Sequence, residues 1–142
     1  MSDTRGRQLA VDYGDKRIGF AISDPSGMIA SPAGFLLRRA GKRPPVAKII
    51  ARGVELEARG FVLGLPLDEQ GEDTPRAREV RAVGAEIARR TGLPVRFVDE
   101  RFTTAAAQRA IREMDGTTRG RRGDVDALSA TILLQHALEL PT

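Results

Sequence analysis

Three carboxylates stand out by their positions. Asp12 follows the apolar run Leu9-Ala10-Val11, Glu100 follows Val95-Arg96-Phe97-Val98 beside Asp99, and Asp126 lies at the start of the last apolar helical stretch. Acids just past the carboxyl ends of strands stand where α/β sheets build their sites. If Asp124 caps the last helix, Asp126 falls in its first turn, with Val125, Leu128 and Ile132 facing the core. The helix dipole favours an acid there whatever its function, and Asp12 and Glu100 also read as ordinary acidic turn residues. Brought together, three carboxylates repel one another and stay anionic only with cations among them. Oxygen donors of this kind select Mg2+ or Mn2+. Two such ions, about 3.5–4 Å apart, activate a water and stabilise the leaving oxygen of a phosphodiester. That chemistry needs neither histidine nor cysteine, and the chain has one His and no Cys. His136, late in the last helix, reads as helix surface or core edge.

Basic residues accompany each acid. Lys16 and Arg17 come after Asp12, Arg101 follows Glu100, and Arg119, Arg121 and Arg122 precede Asp126. Such a pattern fits a metal site inside a phosphate-binding rim, with ordinary solvated charge as the plain alternative. The chain carries 23 basic against 19 acidic residues, a formal charge of +4, and 20 of the 23 are Arg. The guanidinium fork binds phosphate oxygens bidentately. A base-composition bias in the genome accounts equally for Arg over Lys, but not for a net basic chain, which points to an anionic partner. Five Phe and one Tyr are too few to expect base stacking along a single strand. There is no phosphate loop, no His-Glu-x-x-His and no Gly-x-Ser-x-Gly elbow.

The elements that must position these residues follow from periodicity. With 142 residues the chain is expected to be one domain, 1–142, with 1–6 and 115–123 as mobile stretches. Lacking cysteine, a signal-peptide pattern and a long apolar run, it is expected to be cytoplasmic with no membrane partner. The first strand ends at Asp12-Tyr13-Gly14-Asp15, a turn. Ile18, Phe20 and Ile22 alternate as a second strand, Pro25-Ser26-Gly27 turns, and 28–37 supplies a third. After the basic loop Arg38, Arg39, Lys42 and Arg43, a helix is expected to about Arg59, with Val46, Ile49, Ile50, Val54 and Leu56 inward and Gly60 as its stop. Phe61–Leu65 is the fourth strand. Thr74 caps a helix that runs to Thr91 and ends at Gly92. Val95–Val98 is the fifth strand, followed by helices over about 104–114 and 125–140. The order predicts an α/β fold: a mixed five-stranded sheet, three antiparallel strands then two parallel, flanked by helices.

The segment from Leu9 to Asp24 resembles the opening of the YqgF/RuvX family. Gly64-Leu65-Pro66-Leu67 with Gly71 is similar to its second motif, Asp99-Glu100-Arg101-Phe102-Thr103-Thr104 to its third, and Asp126-Ala127-Leu128-Ser129-Ala130 to its fourth. The loop from Asp68 to Pro75 is more acidic than the family's usual one. The resemblance spans nearly the whole chain. It implies a ribonuclease H-like fold and the acidic triad Asp12, Glu100 and Asp126. The family is described both as Holliday junction resolvases and as nucleases maturing the small-subunit (pre-16S) rRNA precursor. The implied partner is rRNA precursor or branched or single-stranded DNA, the implied cofactor a pair of Mg2+ or Mn2+ ions, and the assembly a monomer or homodimer. A nucleic-acid-binding ribosome-assembly factor without catalysis is the alternative. A phosphotransferase built on the Asp12–Gly14 hairpin would need a second domain that this length does not supply.

Overall fold

The computed structural model describes residues 6–38, 43–103 and 122–140, with the backbone alone at 102 and 122–126. Five strands, β1 (Gln8–Tyr13), β2 (Arg17–Ser23), β3 (Ala30–Leu37), β4 (Gly60–Leu65) and β5 (Val95–Asp99), form one sheet in the order β3-β2-β1-β4-β5. The hairpins pair β1 with β2 and β2 with β3 antiparallel, whereas β4 runs parallel to both β1 and β5. The expected mixed sheet is therefore present. Its parallel half arises because helices α1 (Val46–Glu55) and α2 (Pro75–Thr91) carry the chain back between strands.

Strand alternation sends neighbouring residues to opposite faces. Leu9, Val11, Tyr13, Ile18, Phe20, Phe61 and Leu63 face α1 and α2, where Val46, Ile49, Val80, Val83 and Ile87 complete the larger core. Ala10, Ala21, Val62 and Val98 face the other way, against Ala130, Leu133, Leu134 and Ala137 of α3 (Arg122–Glu139). Among the described residues no helix is long and apolar enough to cross a membrane.

Helix α2 starts and stops as expected: Thr74 Oγ1 accepts from the Ala77 amide at 3.1 Å, and Gly92 closes it at φ 71°. Other boundaries differ. Asp12 lies inside β1, because pairing continues through Asp12–Gly19 and Tyr13–Ile18 and the turn closes later, at Gly14 N–H to Arg17 O, 3.0 Å. Helix α1 stops at Glu55, not Arg59. The chain reverses through Glu57 at φ 59°, Val54 is 72% exposed, and Gly60 opens β4. β3 begins at Ala30, leaving Met28 and Ile29 exposed in the preceding turn. Helix α3 begins at Arg122, so Asp124 is its third residue and no cap, and 122–123 are helical. Its inward stripe is Ala127, Ala130, Leu133, Leu134 and Ala137. Leu128 is 44% exposed and Ile132 only partly buried, because both stand beside that stripe. The helix expected over 104–114 lies outside the described residues.

One cluster fixes the first hairpin to α2. The Tyr13 hydroxyl donates to Glu79 Oε2 at 2.9 Å, and Arg38 Nη2 donates to the same oxygen at 2.9 Å. The Arg38 guanidinium lies 4.5 Å from the Tyr13 ring centroid, and its Nη1 donates to Gly14 O at 3.3 Å. Arg76 pairs with Asp15 in the same turn. Burial, then the hydrogen bond to Glu79, pushes the Tyr13 phenol far above its usual range. Tyr13 is the chain's one tyrosine, so ultraviolet absorbance reads it alone. At about pH 10.5, where a free phenol is mostly ionised, the native protein is expected to lack the tyrosinate band, and urea to restore it. Because the folded state holds the proton, this group's contribution to stability is present below about pH 10 and is lost as pH rises further.

Candidate active site

Asp12 and Glu100 are brought to one end and one face of the sheet. Asp12 shares the face of Ala10, and Glu100, first residue of a short 3-10 turn (Glu100–Phe102), is two residues past Val98. Parallel pairing sets Val11 beside Leu63 and Gly64 beside Val98, so Asp12 is level with Gly64 one strand away. Both carboxylates are buried, Asp12 at 1% exposure and Glu100 at 3%. The strands that carry them are separated by β4, about 10 Å apart in all, and Gly64 lies between.

Gly64 is the residue that makes this arrangement fit. A Cβ there would stand 2.7 Å from Glu100 Oε1 and 3.1 Å from Leu133 Cδ2. Glu100 thus leans over β4 into space that any larger residue would take. A glycine inside an apolar strand is itself a sign of such close approach. It lies in the motif Gly64-Leu65-Pro66-Leu67, but which atom comes close is not readable before folding.

Helix α3 crosses this face with a defined polarity. Leu133 meets Gly64, while Gln135 bonds Met28 O and the Ala30 amide at the opposite end of the sheet, each at 3.0 Å. The N-terminal turns of α3 therefore lie toward the acids. Asp126 is the fifth residue of the helix, not in its first turn, and stands two turns before Leu133. Its side chain is outside the described residues, as are Arg119 and Arg121 and the Arg122 side chain. Among the described residues no three His, Cys, Asp or Glu side chains gather closely enough to hold a metal ion. Asp12 and Glu100 still make an oxygen-only pair of the hard type that Mg2+ and Mn2+ prefer, and burial of two anions calls for a compensating cation.

The basic residues separate into two groups. Lys16 is exposed in the β1–β2 turn and Arg17 is half-buried at the start of β2. Arg101 is instead tied to the protein. Its Nε lies 3.1 and 3.0 Å from the two Asp99 oxygens, its Nη2 is 2.7 Å from Asp99 Oδ2, and its Nη1 donates to Asp68 O at 3.0 Å. The Arg101 hydrogen bonds hold the Asp99 carboxyl below its usual range.

A buried acid pair at the carboxyl ends of the central strands, on a β3-β2-β1-β4-β5 mixed sheet crossed by a C-terminal helix, is the frame of a ribonuclease H-like nuclease, a hydrolase of phosphodiester bonds. The fold match is to RuvC of Thermus thermophilus, solved in complex with a Holliday junction substrate: TM-score 0.55, 15% identity, 93% of each chain covered. Residues 6–140 match the family model RuvX: Holliday junction resolvase, and the chain belongs to that family. A relative from Clavibacter michiganensis, named "Putative pre-16S rRNA nuclease", is 40% identical over 134 residues, covering 94% of this chain and 83% of its own. One of the same name from Koribacter versatilis is 40% identical over 138 residues, covering 97% and 90%.

Replacing Gly64 with Ala is expected to displace the Glu100 carboxylate. Cleavage should fall by about 100-fold, with a loss of about 1–3 kcal/mol in stability from crowding. Parallel turnover and urea-unfolding measurements check both numbers.

Proposed function

We propose that Asp12, Glu100 and Asp126 hold two divalent ions, Mg2+ or Mn2+, and that the chain cleaves the pre-16S rRNA precursor in the cytoplasm. The observation that carries this reading is the burial of Asp12 and Glu100 on one sheet face, on either side of Gly64. Bound there, the ions would supply an activated water and charge stabilisation for the leaving oxygen. The chain's own residues do the rest. β1 and the 3-10 turn fix two carboxylates at a dry sheet end, and α3 brings its early turns toward them. Lys16 and Arg17, next to Asp12 in the hairpin, and Arg119, Arg121 and Arg122, just before Asp126, position the phosphates. The names of the relatives support RNA as the substrate, and the family description supports branched DNA as its competitor.

Asp12→Asn and Asp126→Asn are each expected to lower cleavage by about 1,000-fold or more at unchanged melting temperature, and excess chelator to abolish it. Full activity in any of these would sink the metal site. Precursor rRNA, a four-way DNA junction and single-stranded DNA, compared at matched metal and salt, decide the substrate. Preferred cutting of the junction would overturn the RNA assignment.

Changing Arg119, Arg121 and Arg122 together to Ala should weaken binding and flatten its salt dependence. The slope of log affinity against log salt should drop by about 0.7–0.9 for each phosphate no longer neutralised by an arginine. An unchanged slope removes this segment from the interface.

A further inference from the structure

Arg101 stands beside Glu100, where its position in the sequence marks it as a phosphate-binding residue. Its guanidinium is already engaged on two sides. Asp99 takes Nε and Nη2, and Nη1 reaches the carbonyls of Asp68 and Glu69 at 3.0 and 3.3 Å. The backbone amide of Arg101 also donates to Asp99 Oδ1 at 3.0 Å, and the Thr103 amide closes the 3-10 turn on Glu100 O at 3.2 Å. One side chain thus joins the turn that carries Glu100 to the loop that follows β4.

That loop is shaped to receive it. Asp68 Oδ1 accepts from the Gln70 and Glu72 amides, both at 2.9 Å, and the Asp68 amide donates to Glu72 O at 2.9 Å. These bonds turn the Asp68 and Glu69 carbonyls toward Arg101. Gly71 has φ +83°, and Arg101 Nη2 lies 3.4 Å from where a Cβ at 71 would stand. The Thr74 hydroxyl donates to Pro66 O at 2.6 Å, joining the loop's other end to the cap of α2. The same loop leaves β4 directly after Gly64, the residue against which the Glu100 carboxylate rests.

We propose that Arg101 is a positioning residue: its fork ties the 68–72 loop to the Glu100 turn and so holds the Glu100 carboxylate over Gly64. This rests on the reading of Glu100 as a site residue. A lysine cannot replace it, because one ammonium does not span a carboxylate and two carbonyls as a planar fork does.

Arg101→Ala and Arg101→Lys in the full chain test the brace, with melting curves confirming that each folds. Lys is the variant to use if Ala does not fold. Both are expected to lower kcat by about 10-fold or more with KM nearly unchanged. The salt slope of substrate binding, measured in chelator, should stay as in the wild type. Amide exchange at Gln70, Glu72 and Thr103 should quicken. A raised KM with the slope reduced by about 0.7–0.9 would make Arg101 a phosphate ligand instead. Unchanged exchange at those amides, or full kcat with Lys, would equally overturn the brace. If the wild-type chain cleaves none of the substrates, the functional reading fails, while the exchange experiment still decides whether Arg101 holds the loop.

Discussion

Glu100 Oε1 takes up the space where residue 64 would carry a side chain, and much of the molecule's design follows from that close approach. A buried carboxylate can lean across β4 only if the strand beneath it is bare. Gly64 supplies the gap in an otherwise apolar strand, and Leu133 of α3 closes it from above. Asp12, level with Gly64 on the next strand, meets the same dry environment. Two buried anions are costly to hold, so the remaining structure has to fix them from several directions.

For Asp12 the fixing comes through the opposite side of its strand. Tyr13 points the other way, into the larger core, where Glu79 and Arg38 grip its hydroxyl and ring. A strand that cannot rotate at Tyr13 cannot rotate at Asp12, because alternation couples the two. Arg38 also reaches the turn beyond, at Gly14, so the whole hairpin that carries Lys16 and Arg17 is fastened to α2. For Glu100 the equivalent fastening is local, through the Asp99–Arg101 pair and the loop after β4.

Sheet composition, strand order and the limits of α2 were legible because they depend on local chemistry: alternation in β2, Thr74 before Pro75, Gly92 after Thr91. Errors gathered where tertiary contacts decide. Val54 and Leu128 look apolar enough to be buried, yet each stands beside the stripe that packs. Asp12 reads as a turn residue until β2 pairs with it. Arg101 shows the same limit at the site. Its neighbour Glu100 marks it as part of a functional segment, but sequence order does not tell whether a guanidinium meets a substrate or Asp68 O thirty-three positions earlier.

The two faces of the sheet would respond oppositely to sequence change. Beneath α1 and α2 lie Leu9, Ile18, Phe20, Phe61 and Leu63, and trimming any of them opens a void costing about 2–5 kcal/mol. Beneath α3 the two central hairpin strands contribute Ala10 and Ala21, opposite Ala130 and Ala137, with bare Gly64 nearby. There is little to trim there and no room to enlarge. One face fails by cavities and the other by crowding, so the acid-bearing face is the one on which an added methyl group is felt first.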